Sequence, residues 1–355
     1  MTEKVLMKGN EAIAEAAIQA GCRHYFGYPI TPQTEIAAYM SKRMPKVEGG
    51  CFLQAESEVA AINMVIGASS AGKRAMTSSS SPGIALKSEG LSYLAGCDLP
   101  AVVVNIQRGG PGLGSIQPSQ ADYFQATKGG GHGDYRMVVL APSTVQEAFN
   151  YTALAFALAD KYRVTSMLLS DGILGQMMEP VDFSSLAEYN TAPGEKPWAL
   201  TGTEGKRPPN IVNSLYIEPD VLEKTVLDRF ERYAEIEQAE ARWEERFTED
   251  AEVVVVAYGA AARVAANAVK AARAEGIKAG LFRPITVWPY PKAPLAALAG
   301  RVKAFVCVEL SMGQMVEDLE LAIRCAKPVL RSTRTGGMVH SVEEILAKVR
   351  EADGV

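Results

Sequence analysis

The sequence lacks most features that mark membrane, secreted or nucleic-acid-binding proteins. None of its apolar runs reaches 18 residues, so no membrane-spanning segment is predicted. The first ten residues contain two lysines but no apolar signal-peptide core follows them, and secretion is not expected. A net charge of −5 excludes a strongly basic surface, so nucleic acid is not an expected partner. We therefore expect a globular protein of the cytoplasm.

Cysteine is scarce, and its spacing excludes several kinds of site. No two of the five cysteines form a CxxC pair, and their odd number does not suit a disulfide framework: Cys22, Cys51, Cys97, Cys307 and Cys325. The three histidines are also too scattered to predict a metal site from spacing. We expect free thiols in a reducing compartment and no metal or iron–sulfur cluster bound by this chain.

The length of 355 residues and the alternating periodicity predict an α/β fold with about two domains. Strand-like and helix-like segments alternate over the first half, as expected for a parallel sheet with helical crossovers. We predict a first domain over residues 1–215, a connecting helix within 216–252 and a smaller α/β domain over 253–355. The predicted helix itself spans Asp220–Glu252.

Three loops of the first domain are expected to carry the chemistry, because ligands bind beyond the carboxyl ends of parallel strands. They are Tyr28–Pro32, Thr77–Gly83 and Gln107–Gly114. Familiar cofactor motifs do not fit the chain. Residues 67–73 resemble a phosphate-binding loop but lead from a helix into a strand, and Asp171-Gly172 lacks the downstream asparagines of a thiamine–magnesium motif.

Glu58 lies near the start of a predicted helix, 56–71, that is otherwise mostly small and apolar. A carboxyl group facing an apolar pocket can retain or share a proton, which suits a hydrogen bond to a heterocyclic nitrogen. The alternative is an acidic residue that only stabilises the helix dipole, and Glu56 fits that role better than Glu58. The pattern alone leaves both interpretations open.

Arg108 and Thr31 are the other candidates at this edge of the sheet. Arg108 follows a buried valine-rich strand and precedes glycines, which suits bidentate binding of a carboxylate, although a single arginine in a turn is more often simply exposed. Thr31 could present its hydroxyl and nearby N–H groups to an anion. Its alternative role is that of a helix N-cap, with Pro32 in the first helical position.

Four segments of the first domain carry a resemblance to a known family: Lys8–Ala12, Gly27–Pro32, Glu56–Ala61 and Gln107–Gly112. Together they resemble the alpha subunit of 2-oxoacid:ferredoxin oxidoreductases, and the Tyr-Pro-Ile-Thr-Pro element at 28–32 is the most specific of them. Phe282–Pro289 resembles the family's transketolase C-terminal-like domain. The segments Gly112–Gln120 and Lys128–Asp134 are similar to the branched-chain type.

The resemblance implies a pyrimidine-type thiamine-diphosphate-binding domain followed by a transketolase C-terminal-like domain. By position, Glu58 is expected to contact the aminopyrimidine nitrogen of thiamine, since the residues after it keep the family's spacing. Arg108 is expected to hold the substrate carboxylate, Thr31 to hydrogen-bond the substrate or its adduct, and Pro29 to shape their loop. Glu58, Pro29 and Thr31 are thus the expected cofactor-binding residues.

The resemblance also implies that the enzyme is shared among several chains. The diphosphate, its Mg²⁺ and the 4Fe-4S clusters are expected on a beta subunit and a ferredoxin-like delta subunit, beside a gamma subunit. The implied reaction is the coenzyme A-dependent oxidative decarboxylation of 3-methyl-2-oxobutanoate with reduction of ferredoxin. A 2-oxoglutarate or pyruvate enzyme, or a catalytically silent assembly subunit, stays open as an alternative.

Overall fold

The computed structural model describes residues 4–189 and 192–355, which fold around two mainly parallel sheets. The strands within these residues are β1 Val5–Lys8, β2 His24–Gly27, β3 Cys51–Gln54, β4 Ala75–Ser79, β5 Ala101–Gln107, β6 Val138–Leu140, β7 Thr165–Asp171, β8 Met178–Val181, β9 Trp243–Arg246, β10 Val253–Ala257, β11 Ala279–Pro284, β12 Thr286–Trp288, β13 Ala304–Glu309 and β14 Val329–Thr333.

The α-helices surround these strands, and two short 3₁₀ turns, Met44–Lys46 and Phe183–Glu188, accompany them. The helices are α1 Gly9–Gln19, α2 Thr34–Arg43, α3 Glu58–Ser70, α4 Ser81–Leu86, α5 Ser88–Gly96, α6 Tyr123–Thr127, α7 Val145–Tyr162, α8 Gly172–Gln176, α9 Pro219–Ala239, α10 Gly259–Ala274, α11 Lys292–Ala299, α12 Met315–Ala322 and α13 Val342–Asp353. No helix in the described ranges is long and apolar enough to cross a membrane.

The larger sheet has seven strands in the order β12-β6-β7-β5-β4-β2-β3. All of its pairings are parallel except β12 with β6. The valine-rich β5 is buried along its whole length, which confirms the prediction of a strand covered on both faces. Helices α1 and α7 pack together, as do α3 and α5. The order reverses between β2 and β4, which places a ligand crevice at the carboxyl ends of these strands.

The smaller sheet has the order β14-β13-β10-β11-β9, and only β9 runs antiparallel to its neighbour. Side chains alternate along β10, as the strand period requires. Val253 and Val255 pack with helices α10 and α13 in one core cluster. Val254 and Val256 point into the other cluster, which is continuous with the core of the larger sheet.

The predicted helix over Asp220–Glu252 is wrong in its second half. Helix α9 ends at Ala239, and the chain then forms strand β9 along the edge of β11. This pairing satisfies backbone groups that the edge of β11 would otherwise leave open. The division into 1–215, 216–252 and 253–355 stays a prediction.

Sequence periodicity also missed one strand of the larger sheet and the division of one helix into two. The sequence does not predict strand β3, and its periodicity over Ile84–Leu94 predicts a single helix where the structure has two, α4 and α5, that meet at Lys87. The Lys87 side chain at this break is fully buried, although a lysine is ordinarily exposed.

Candidate active site

The loop after β2 presents Thr31 and Pro29 at the carboxyl edge of the sheet, and both residues are exposed. Helix α2 begins only at Thr34 with Gln33 as its N-cap residue, so the expectation that Thr31 caps this helix is wrong. Two further residues before the helix carry the chain away from the sheet first. Thr31 is therefore free of a capping role and available to a ligand.

A buried polar network fixes this loop from below. The Gln33 side chain donates to the Tyr28 carbonyl oxygen at 3.2 Å and accepts from the Ser78 hydroxyl at 2.6 Å. Ser78 in turn lies 2.6 Å from the Tyr25 hydroxyl, and burial raises the pKa of Tyr25 above its ordinary value. Because every member has a partner, the network holds the loop in one arrangement.

A second contact holds the loop from the side of the first helix. The Asn10 amide donates to the Pro32 carbonyl oxygen at 2.8 Å and to Glu35 at 2.9 Å. The Gln176 amide bonds the same two groups at 3.3 Å and 2.9 Å. Thr31 thus stands on a loop anchored to three separate elements.

Arg108 reaches this loop from the end of β5 and is buried, with 7% of its surface exposed. One terminal nitrogen donates to the Thr31 carbonyl oxygen at 2.9 Å and the other to the Leu113 carbonyl oxygen at 3.1 Å. Its Nε is buried and has no partner among the described residues. Since a guanidinium has five N–H donors, several remain for an anionic ligand.

The backbone of Arg108 is held by a second buried group. Its N–H donates to the Ser81 hydroxyl at 3.0 Å, and that hydroxyl lies 2.6 Å from the Asp122 carboxylate. Asn105 also donates to Asp122, at 2.8 Å. Burial raises the pKa of Asp122, and this effect outweighs the two hydrogen bonds, which lower it. Sequence reasoning did not find Ser81 or Asp122, because their role depends on contacts between distant segments.

Glu58 is the first residue of α3, and Ser57 caps that helix by accepting from the Ala60 N–H at 3.1 Å. Glu56 precedes the helix and is exposed, so the view that Glu56 is the better dipole partner is wrong. The Glu58 side chain is only 6% exposed, and its carboxylate has no hydrogen bond to any described residue. The side chain is therefore mostly buried while its carboxylate oxygens stay available to a ligand.

Gly83, at the start of α4, lies against this carboxylate. A Cβ on Gly83 would come within 2.6 Å of Glu58 Oε1 and 2.1 Å of Ser79 Oγ. The hydroxyls of Ser79 and Ser80 are buried without partners among the described residues. These groups and Glu58 form a polar recess around the end of β4.

The structure therefore brings Thr31 and Arg108 into direct contact but places Glu58 apart from them. Helix α4 touches both sides, through Ser81 at Arg108 and through Gly83 at Glu58. A cleft of about 490 Å³ opens beside Thr31, and Ile116 and Gly172 are among its lining residues. Asp171 caps α8 there, accepting from the Ile173 and Leu174 N–H groups.

Known proteins share this architecture. Residues 15–243 match the family described as pyruvate flavodoxin/ferredoxin oxidoreductase, thiamine diphosphate-binding, and residues 251–345 match pyruvate:ferredoxin oxidoreductase core domain II. The chain is 50% identical to the ketoisovalerate oxidoreductase subunit VorB of Methanothermobacter marburgensis, over 98% of each chain. It is 37% identical to the 2-oxoglutarate synthase subunit KorA of Methanothermobacter thermautotrophicus, again over 98% of each.

A solved structure is similar over nearly the whole chain. The 2-oxoglutarate:ferredoxin oxidoreductase from Magnetococcus marinus, solved with 2-oxoglutarate, coenzyme A and succinyl-CoA bound, superposes with a TM-score of 0.87 at 30% identity. The match covers 99% of this chain and 66% of the solved one, so the solved chain contains a further part that this chain does not match.

The fold and the two matched families define a thiamine-diphosphate-binding subunit of an oxidoreductase, with a transketolase C-terminal-like second domain, as predicted. The chain belongs to the 2-oxoacid:ferredoxin oxidoreductase family, whose members named here are subunits of larger enzymes. The residues present fit the aminopyrimidine ring of the cofactor. The mostly buried Glu58 supplies a carboxylate with no hydrogen bond to a described residue, and Gly83 packs against it so closely that a Cβ there would collide with Oε1.

Proposed function

We propose that the chain is the alpha subunit of an enzyme that oxidatively decarboxylates 3-methyl-2-oxobutanoate to the acyl-coenzyme A and CO₂, passing two electrons to ferredoxin. The observation that carries this substrate is the identity of 50% to a ketoisovalerate oxidoreductase subunit, against 37% to a 2-oxoglutarate synthase subunit of equal coverage. Coenzyme A enters as the co-substrate, as it is bound in the similar solved structure.

Glu58 is the residue that this chain contributes to the cofactor. When bound, thiamine diphosphate supplies the carbon nucleophile and electron sink that decarboxylation of a 2-oxoacid needs. The Glu58 carboxyl group would hydrogen-bond a nitrogen of the aminopyrimidine ring. The lack of any hydrogen bond from a described residue to this carboxylate favours the role, because its oxygens remain available to the ring.

Arg108 and Thr31 are the residues that this chain contributes to the substrate. The free N–H donors of Arg108 suit the substrate carboxylate, and a planar guanidinium can bind both oxygens at once. The exposed Thr31 hydroxyl would donate to the substrate oxygen, and Pro29 would shape the loop that carries it. The glycines after Arg108 allow the substrate to approach the backbone closely.

The remaining parts of the enzyme belong to other chains in this proposal. A beta subunit would bind the diphosphate with Mg²⁺ and 4Fe-4S clusters, and gamma and ferredoxin-like delta subunits would complete the complex in the cytoplasm. The described residues contain no group of three or more potential metal ligands, and their cysteines are free. The active site would form where this chain meets the beta subunit.

The test is a substrate panel with the complex that co-purifies with this chain. Coenzyme A-dependent reduction of a viologen dye would be measured with 3-methyl-2-oxobutanoate, 2-oxoglutarate and pyruvate. We expect the highest kcat/KM with the branched acid. A preference for 2-oxoglutarate or pyruvate would replace the substrate but keep the reaction, whereas turnover with none of them would favour a silent assembly subunit.

A further inference from the structure

Lys87 is a buried cation that neither the family resemblance nor the proposed mechanism uses. It lies at the junction of α4 and α5, and its side chain is fully buried. Its amine makes one hydrogen bond, 3.2 Å to the carbonyl oxygen of Glu58. In the described part of the chain no carboxylate forms an ion pair with it.

Helix stability does not explain this placement. The Glu58 carbonyl belongs to the first turn of α3, and Lys87 itself directly precedes the first turn of α5. The Glu58 carbonyl lies at the positive end of the α3 dipole, where a cation is unfavourable, although Lys87 itself also caps the C-terminus of α4. Desolvating an ammonium group adds a further cost that one neutral carbonyl does not offset. A lysine that breaks two local rules at once points to a functional constraint.

Glu58 supplies a negative charge that partly offsets the cost of burying Lys87. Burial lowers the pKa of the Lys87 amine to about 8, and the attraction of Glu58 acts in the opposite direction. The same segment touches both ends of Glu58, because Gly83 lies against the carboxylate while Lys87 bonds the carbonyl. The segment from Gly83 to Lys87, which is most of α4 and its C-cap residue, therefore contacts Glu58 at both its carboxylate and its carbonyl group.

We propose that Lys87 is a positioning residue for Glu58: its buried ammonium group fixes the first turn of α3 and directs the Glu58 carboxyl group toward the aminopyrimidine ring. This inference rests on the proposed function of Glu58. Lys87 touches neither cofactor nor substrate in this account. It acts through the hydrogen bond to the Glu58 backbone and through the attraction between the two side chains.

The experiment measures thiamine diphosphate affinity in the cofactor-stripped complex, by titration calorimetry, with variants of this chain. Lys87→Met is expected to weaken binding by about tenfold or more, because it removes the hydrogen bond and the charge together. Lys87→Arg keeps the charge and is expected to recover most of the affinity. Lys196→Met is the matched control, since Lys196 is also mostly buried but pairs with Asp160, at 2.7 Å.

A double-mutant cycle separates this inference from the proposed function. Glu58→Gln is expected to weaken binding alone, and its effect is expected to shrink by about fivefold or more in the Lys87→Met background, since coupled residues are not additive. If Glu58→Gln leaves binding unchanged, the proposed site fails. If it weakens binding but Lys87→Met does not, or the two effects are additive, only the role of Lys87 is overturned.

The wild-type complex gives a readout that does not depend on a variant folding. Thiamine diphosphate affinity is expected to fall as the pH rises through about 8, where the Lys87 amine loses its charge. In the Lys87→Arg complex this fall is expected to be absent up to much higher pH. If the Lys87→Met complex fails to assemble, the pH dependence of affinity in the wild-type and Lys87→Arg complexes tests the proposal instead. A wild-type affinity that does not change as the pH rises through about 8 would overturn the proposal.

Discussion

In the proposed function, Glu58 is the residue on which the chemistry of this chain depends. Its side chain is mostly buried, and its carboxylate makes no hydrogen bond to a described residue, which leaves it available to a ligand. The sequence alone left open whether Glu58 binds a ligand or, like Glu56, only stabilises the helix dipole, because both residues fall within one possible first helical turn. The structure separates them, since α3 begins at Glu58 and leaves Glu56 exposed before it.

Replacing Glu58 with glutamine is expected to lower kcat of the assembled complex by about 100-fold or more, because an amide cannot share a proton with the ring nitrogen as a carboxyl group does. Viologen reduction with saturating 2-oxoacid and coenzyme A measures the change. Glu56→Gln is the matched control and is expected to retain nearly full activity. Similar losses in the two variants would contradict the assignment.

Arg108 tests the substrate side of the site. Arg108→Lys is expected to lower kcat/KM for the 2-oxoacid by about tenfold to 100-fold, because an ammonium cannot bind a carboxylate with two parallel hydrogen bonds. Steady-state kinetics over a range of 2-oxoacid concentrations checks this. Arg301→Lys, at an exposed position, is the control. An unchanged KM and kcat in Arg108→Lys would leave Arg108 only the role of tying two loops together.

At the scale of elements, the sequence predicted most strands and helices of the larger sheet, but not strand β3 and not how segments contact each other. The valine run of β5 predicted a doubly buried strand because composition alone determines that burial. Strand β9 was missed because its polar residues pair through the backbone, on an edge that becomes available only when β11 is in place. The break at Lys87 was missed because local periodicity carries no information on which lysine is buried.

Helix α4 connects the two sides of the site, and Gly83 is its most sensitive position. Gly83→Ala is expected to lower activity by about tenfold or more, because the new methyl group would come within 2.6 Å of Glu58 Oε1 and displace the carboxylate. Viologen reduction and thiamine diphosphate binding measure the effect.

The matched control is Gly67→Ala within α3. A Cβ at Gly67 meets no atom within 4 Å, so this change is expected to stabilise the chain by about 0.5–1 kcal/mol through helix propensity. Thermal unfolding of both variants would separate the effects. If Gly83→Ala retained wild-type activity and cofactor binding, the close contact with Glu58 would have no functional meaning.

At the scale of the whole molecule, Arg283 joins the smaller sheet to helix α7. It lies on β11, is buried, and bonds Glu147 of α7 and Glu244 of β9, with shortest distances of 2.6 Å and 2.7 Å. Burial disfavours its charge, but these two carboxylates outweigh that effect and raise the pKa of Arg283. Arg283→Met is expected to lower the free energy of unfolding by about 3–5 kcal/mol, because it leaves carboxylates without their buried partner.

Urea-induced unfolding of the purified chain measures this loss, with Lys224→Met in an exposed ion pair as a control that changes stability little.

The ion pair between Arg283 and Glu244 also predicts how the stability changes with pH. Burial raises the pKa of Glu244, but hydrogen bonds from Arg246 and Arg283 outweigh it and lower that pKa below its usual 4.5. The stabilisation by this ion pair is therefore present above pH 4.5 and is lost as the pH falls through the lowered pKa of Glu244. The free energies of unfolding of the wild-type and Arg283→Met chains should therefore converge in acid. A constant difference would contradict the ion-pair account.

The most direct test of the central claim is an add-back experiment with this chain and the subunits that co-purify with it. Thiamine diphosphate, 3-methyl-2-oxobutanoate and coenzyme A would be supplied to this chain, to the partner subunits and to the recombined complex, and viologen reduction would be followed in each. Since this chain supplies one half of the active site in our account, only the recombined complex is expected to turn over. Turnover by this chain alone, or by the partner subunits without it, would contradict the account.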